Sequence, residues 1–401
     1  MKQVQFEEVL KEPIRNGLTK PKAIRGSGVK MISMGEIFAH NRISKIAMDR
    51  VPVTDKEFLN CSIKAGDLLF ARQSLVLDGA GKCSIVTEVT EDTVFESHLI
   101  RARINGKKAN PYFLYYYFNS HEGRENIKTI VEQVAAAGIR GSDLIKLWIP
   151  CPDIDIQNQV VSILDAIDRK IELNRKVNDN LLEQASTLFN SAIQQSTSVV
   201  YAELGSLAEV KGGKRLPKGV NLVTTPNQHP YIRVRDLNNT VFVSLSKDYE
   251  YVDDETQQSI SRYIVSTGDL LISIVGTIGL TAIVDHTLNK ANLTENCVKL
   301  TNIKNVTPEY LLLFLRSLQG VEAISKGTVG AVQLKLPIKN IQSITVPLLC
   351  DEELQPLQET LSAIFSQISA NIVEMKQLAD IRDTLLPKLM SGELDVSSLN
   401  L

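Results

Sequence analysis

An α+β protein of two tandem lobes, separated by two long helices that pair as an antiparallel coiled coil with pseudo-twofold symmetry, is the fold expected of this 401-residue chain. Three observations lead to it. The sequence repeats itself with a period of about 200 residues. Each repeat closes on a stretch with seven-residue apolar spacing. Ahead of that stretch, short β-branched runs surround one helical segment opened by Pro.

The repeat justifies the elements in order. Gly66-Asp67-Leu68-Leu69 recurs as Gly268-Asp269-Leu270-Leu271, a turn entering a buried strand. A Gly-centred turn then leads into Ser84-Ile85-Val86 in one half and Ala282-Ile283-Val284 in the other. Asn110-Pro111-Tyr112 matches Thr307-Pro308-Glu309, a capping residue with Pro in the first helical turn. Loops around Gly138-Ile139-Arg140-Gly141 and Gly327-Thr328-Val329-Gly330 follow. Short strands then end in Pro at Leu147–Pro150 and Ile344–Pro347. The offset drifts only between 197 and 202, and residues 11–30 and 38–62 are the divergent stretches of the first half.

In the closing helices, Val160, Ile167, Asn174, Leu181 and Leu188 fall at a, and Leu164, Ile171, Asn178, Ala185 and Ala192 at d. The second helix has Leu357, Ile364, Asn371, Leu378 and Leu385 at a, and Leu361, Ile368 and Met375 at d. Pro387 is expected to stop it, and Arg382 at a d position to loosen the seam. Antiparallel pairing brings Asn178 to Asn371 and Asn174 to Met375, and such Asn layers fix register; a solvated helix face is the other reading of these Asn residues. A helix of about 35 residues spans roughly 50 Å, enough to hold two lobes one or more DNA turns apart.

Composition excludes several classes. No apolar run has the length of a membrane span, and the N-terminus carries no signal-peptide pattern, so a cytoplasmic protein is expected. Cys61, Cys83, Cys151, Cys297 and Cys350 show no ligand or disulfide spacing. The net charge of −2 hides an alternation: +5 over residues 1–150, −3 over 151–200, +2 over 201–348 and −6 over 349–401. A partner senses the local patch, so a nucleic-acid partner stays open.

Catalytic signatures are missing. There is no (Asn/Asp)-Pro-Pro-(Tyr/Phe) motif for adenine methylation and no phosphate loop of the form GxxxxGK(S/T). Glu209-Val210-Lys211 and Glu374-Met375-Lys376 have a nuclease-like ExK form, but such triplets arise by chance in any chain of this size. The five His residues show no metal-ligand spacing, so no metal site is expected. A binding role is favoured over an enzymatic one.

Several segments resemble one family. Ile149-Pro150-Cys151-Pro152, the run from Gln157-Asn158-Gln159 to Ile171, and Asn174-Arg175-Lys176-Val177-Asn178 are similar to the central region of type I restriction-modification specificity (S) subunits. Leu385-Leu386-Pro387-Lys388-Leu389-Met390-Ser391-Gly392-Glu393-Leu394-Asp395-Val396 resembles that family's C-terminal region. Gly212-Gly213-Lys214-Arg215-Leu216-Pro217-Lys218-Gly219, followed by Tyr231–Leu237, resembles the opening of a target recognition domain. The first half departs here, with Ile14-Arg15-Asn16-Gly17 in place of the basic Gly-rich stretch. The resemblance implies target recognition domains at 1–152 and 198–349, a central conserved helix at 153–197, and a C-terminal helix and tail at 350–401. It implies a non-catalytic subunit that reads a bipartite site in double-stranded DNA. Two modification (methyltransferase) subunits and the restriction subunits would dock on it. S-adenosylmethionine, ATP and Mg would sit on those partners, with no cofactor in this chain.

The residues themselves suggest where a duplex would lie. Lys211, Lys214, Arg215 and Lys218 crowd a Gly-rich loop able to approach phosphates closely. Arg233 and Arg235, two apart on an expected strand, would share a face and could address guanine. The loop from Lys326 to Lys335 is a third candidate. In the first half the candidates are Lys22, Arg25, Lys30, Arg42, Lys45, Arg72, Lys82 and Arg140. Tyr112, Tyr115 and Tyr116 read as packing residues rather than base-stacking ones. A protein–protein scaffold without a DNA role, a remote hydrolase, and the specificity subunit of a related combined restriction-methylation enzyme remain open alternatives.

Overall fold

The computed structural model describes residues 2–133, 137–238, 240–330 and 333–396. The chain divides into two compact units, Met1–Glu172 with Met375–Leu401, and Leu173–Glu374.

In the first unit the turn at Gly66, whose φ of 86° suits glycine, delivers the wholly buried strand Asp67–Ala71. That strand is the middle of a five-stranded sheet, between Leu99–Arg103 and Cys83–Val86, with Arg15–Asn16 and Arg42–Ile43 at the edges. Phe70 lies opposite Ile100, which sets the apolar face toward the core. The second unit repeats the plan: Leu270–Ser273 lies between Cys297–Thr301 and Thr281–Val284, with Glu209–Gly212 and Phe242–Val243 outside. The Asp of each Gly-Asp-Leu-Leu motif holds this turn. Asp67 accepts from the Lys64 amide and from Arg103, both at 2.7 Å. Asp269 accepts from the Ser266 amide at 2.8 Å and pairs with Lys299 at 3.2 Å. Each buried carboxylate is thus matched by a cation on the neighbouring strand.

The helices Pro111–Asn119 and Pro308–Arg316 are capped by Asn110 and Thr307, which accept from the amides of Tyr112 and Tyr310. A second cap arrives from the long helices: Gln157 Oε1 accepts from the Asn110 amide at 2.8 Å, and Gln358 Oε1 from the Thr307 amide at 2.6 Å. Gln157 is fully buried and also donates to the Pro152 carbonyl at 2.7 Å. Gln157→Leu should therefore destabilise the first unit by about 1–2 kcal/mol, because it strands two half-buried backbone groups. Denaturant unfolding of the variant, with Gln358→Leu as the matching change in the other unit, checks this.

Each Pro-opened helix turns sharply into a second one, His121–Lys128 or Leu318–Gly327, capped by Ser120 and Ser317. The corner demands glycine. A Cβ on Gly123 would stand 1.9 Å from the Tyr117 carbonyl oxygen, and one on Gly320 would stand 2.1 Å from that of Phe314. Beneath the corner in the first unit, the rings of Phe6, Phe70 and Phe118 meet edge to face with centroids 5.0 to 6.1 Å apart.

The two long helices are Ile154–Gln195 and Asp351–Ser391. Within each unit they pair antiparallel, as expected. In the first unit Asp168 meets Arg382 at 2.9 Å. In the second, Asn371 donates to Asn178 Oδ1 at 2.7 Å. Asn174 donates to Glu374 at 2.6 Å, a partner the heptad assignment did not anticipate.

Three further details correct the heptad reading. The second helix does not stop at Pro387 but continues to Ser391, because Leu389 and Met390 are buried in the first unit's core and outweigh the lost hydrogen bond. Arg382 does not loosen the seam. Burial alone would lower its pKa, but hydrogen bonds to Asp168 and Asp383 outweigh that and hold it above its ordinary value. Leu188 is exposed, and Phe189 takes the buried position against Tyr310, with ring centroids 4.9 Å apart.

Candidate nucleic-acid interface

In the second unit, the basic loop leaves the edge strand Glu209–Gly212. Gly213 fits where a Cβ would lie 2.0 Å from the Thr294 carbonyl, and its amide donates to Cys297 O at 3.0 Å. The next amide, of Lys214, donates to Leu293 O at 2.8 Å. The loop's root is therefore locked to the sheet, Leu216 packs inward, and Lys214, Arg215 and Lys218 are exposed. Lys211 pairs with Glu209 on the same strand at 2.5 Å. The Lys214 amine stands over the Tyr263 ring, 5.5 Å from its centroid. Arg215 pairs with Glu295 at 2.7 Å, and this hydrogen bond raises its pKa. Lys218 is exposed beside Gly219, whose φ is 87°. These four cations share one sheet edge and the loop that leaves it.

The placement of Arg233 and Arg235 on a strand is corrected. The strand ends at Ile232, Arg233 caps a 3-10 turn over Val234–Leu237, and Arg235 lies inside that turn. The reason is Asp236, whose Oδ2 accepts from the Arg233 amide at 2.7 Å and closes the turn. The two guanidiniums nonetheless converge, since both pair with Glu250, Arg235 at 3.1 Å. Burial pushes the Asp236 carboxyl up to about 6, against the pull of Arg235. A carboxyl raised in this way favours folding while protonated, and that stability disappears as pH rises through the folded value. The stability of Asp236→Asn relative to the unmodified chain should accordingly rise by about 1–2 kcal/mol between pH 4 and 7, measured by denaturant midpoints.

Lys326 ends the helix Leu318–Gly327 and faces Glu322 at 3.6 Å. Lys335 is fixed by reciprocal backbone bonds of 2.8 Å with Val329. Ala331 and Val332, between these lysines, lie outside the described residues.

In the first unit the candidates divide. Ile139 N donates to Arg72 O at 2.9 Å and Ala71 N to Lys82 O at 2.9 Å, so Arg72, Lys82 and Arg140 gather around one loop. Arg140 pairs with Glu132 at 2.6 Å. The Lys82 amine donates to Phe38 O at 2.8 Å, and burial followed by the nearby Arg124 lowers its pKa. Lys30 pairs with Glu91 at 2.8 Å, Lys45 with Glu88 at 3.4 Å and Arg25 with Asp49 at 2.9 Å. Lys22 opens a short 3-10 turn over Lys22–Ile24. Arg42 turns inward: it pairs with Asp165 on the long helix and lies over Tyr112, 5.5 Å from the ring centroid. Tyr115 and Tyr116 are buried, and the Tyr116 hydroxyl donates to Asp168 at 2.8 Å.

The edge strand Arg15–Asn16 pairs with Leu99–Arg103 as Glu209–Gly212 pairs with Cys297–Thr301. The divergent Ile14–Gly17 segment thus occupies the place of the basic Gly-rich stretch. Gly17 is packed like Gly213, a Cβ there lying 2.0 Å from the Phe95 carbonyl. The ExK triplets are otherwise engaged: Glu209 accepts from Asn302 at 2.8 Å, and Glu374 accepts from Asn174. Among the described residues no three His, Cys, Asp or Glu side chains converge as metal ligands.

A family model described as the type I restriction modification DNA specificity domain matches residues 5–183 and again residues 198–382. The chain belongs to this family. As a type I specificity subunit it carries two tandem DNA-specificity domains. It is 23% identical to the Type I restriction enzyme HindI specificity subunit of Haemophilus influenzae, over 83% of this chain and 87% of that one. It is 22% identical to the Putative type I restriction enzyme MjaX specificity subunit of Methanocaldococcus jannaschii, over 98% and 93% of the two chains. The crystal structure of a Type-I restriction-modification system S subunit from M. genitalium shares the fold with a TM-score of 0.55 at 16% identity, covering 97% of this chain and 96% of that one. No helix among the described residues of this specificity subunit is long and apolar enough to cross a membrane.

Proposed function

We propose that this specificity subunit reads a bipartite site in double-stranded DNA, one part with each domain, and performs no chemistry itself. Two modification subunits and the restriction subunits dock on it and bring S-adenosylmethionine, ATP and Mg. The helix pair sets the spacing between the two parts of the site. The observation that carries this reading is the repeated specificity domain whose second copy sends a rigidly rooted cationic loop, Lys214 to Lys218, from its sheet edge. Phosphate contacts from such a loop orient a domain, and neighbouring side chains then read bases. The converging pair Arg233 and Arg235 supplies that second component in the second unit. Both now share Glu250, so guanine would have to replace that carboxylate. In the first unit, the cations gathered at one loop are Arg72, Lys82 and Arg140.

Methylome sequencing of cells that express this chain with its cognate modification subunit tests the reading. The expected result is methylated adenine within one two-part motif of fixed spacing. Methylation without a motif, or at a motif unchanged when this chain is replaced by another specificity subunit, would overturn it. A scaffold without a DNA role would leave duplex binding by the assembly insensitive to this chain at every salt concentration.

A further inference from the structure

We propose that the loop Leu75-Val76-Leu77 of the first unit is an apolar wedge that enters the base stack of the bound duplex. The proposal rests on the DNA-reading function and adds a way of reading: deformation of the helix rather than hydrogen bonds to base edges.

The loop presents three consecutive apolar side chains to solvent, Leu75 at 98% exposure, Val76 at 64% and Leu77 at 44%. Phe38, 39% exposed, adjoins them, for a Cβ on Gly79 would lie 3.2 Å from its ring. Single exposed apolar residues are ordinary, but a contiguous cluster on a protruding loop marks a contact surface.

This tip is also built to stay in place. The Val76 amide donates to Ser74 Oγ at 3.1 Å, and a 3-10 turn over Leu77–Gly79 follows. Arg124 donates to the carbonyls of Asp78 and Ala80 at 2.7 and 3.0 Å. Gly79 packs so tightly on Ser74 that a Cβ would fall 2.1 Å from its Oγ. The loop's feet are joined by Ala71 N to Lys82 O at 2.9 Å and Gly81 N to Ala71 O at 2.8 Å.

The chemistry of the feet selects the occupant. Arg72 and Lys82 flank the loop in sequence, and Arg140 adjoins Ile139, which is bonded to Arg72. The tip's one carboxylate, Asp78, is answered by Lys128 at 3.7 Å, so the apolar point still lies between cations and suits a polyanion whose interior is apolar and stacked, which is duplex DNA. Leu is among the residues that open a base step in this way. The second unit has the same combination at the matching corner. There Lys335 pairs with both Val275 and Val329, and Val329 and Leu334 are about half exposed between Lys326 and Lys335.

The test uses the full chain assembled with its modification subunits and a duplex carrying the motif found by methylome sequencing. 2-Aminopurine is placed in turn at each position of the half-site except the methylated adenine, whose extrusion would itself brighten the probe. One step should brighten about threefold on binding, and Leu75→Ser with Val76→Ser and Leu77→Ser should abolish that signal and weaken binding about tenfold. The variant should keep its melting temperature and its modification subunits, since none of the three side chains belongs to a buried core cluster. No brightening at any position, or brightening that survives in the variant, would overturn the wedge while motif-specific binding upheld the DNA-reading function. Loss of the modification subunits from the variant would overturn it in favour of a protein contact. Absence of motif preference in the unmodified assembly would overturn both readings.

Discussion

A chain cut after Thr384 is expected to lose its first unit and keep its second. The residues removed include Leu389, Met390 and Val396, each almost wholly buried among the core residues of the N-terminal 172. Leu385 and Leu386 pack against the same core. At about 2 kcal/mol for each buried side chain, the loss is roughly 6 kcal/mol, comparable to the whole stability of a domain. The second unit, Leu173–Glu374, contains none of these residues. Hydrogen exchange should therefore show protection retained from 173 to 374 and lost across the sheet strands Asp67–Ala71 and Leu99–Arg103. Unchanged protection in those strands would contradict the packing described for the tail.

Replacing Lys214, Arg215 and Lys218 together by Gln should weaken duplex binding by the assembled complex about a hundredfold at low salt, and should flatten the log–log salt dependence by two to three units. These are the residues of the cluster whose charge faces outward from a fixed root. Lys211 is left in place because its partner Glu209 lies on the same strand. The three side chains are exposed and belong to no core cluster, so the melting temperature should hold. A salt slope identical to that of the unmodified complex would show that this edge does not lie along the phosphates.

Much of the framework was legible because it rests on local chemistry. Asn110-Pro111 and Thr307-Pro308 announce their helices through caps that act within one turn. The heptad stripe revealed the pairing because apolar spacing follows helix geometry. What escaped depends on partners far away in sequence. Gln157 reads as a polar helix residue until the Asn110 amide is seen against it. Asp67 reads as a turn residue until Arg103 is placed on the adjacent strand. Pro387 reads as a helix stop because the burial of Leu389 and Met390 in an N-terminal core has no local signal. In the interface, alternation suggested a strand at Arg233 and Arg235, but the Asp236 cap curled the backbone first. Arg42, which pairs with Asp165 on the long helix, cannot be told from a surface cation by composition. The apolar run Leu75-Val76-Leu77 likewise looks like core until its exposure is known.

The first unit draws on both ends of the chain, and this has a consequence during synthesis. Its sheet and Pro-opened helix leave the ribosome early, yet the residues that close its core, Leu389 to Val396, are translated after the entire second unit. At about 5–20 residues per second, the nascent N-terminal half waits ten seconds or more with an apolar face uncovered. The lobe encoded second is thus the one able to mature first, and the interval is when a chaperone would be most needed.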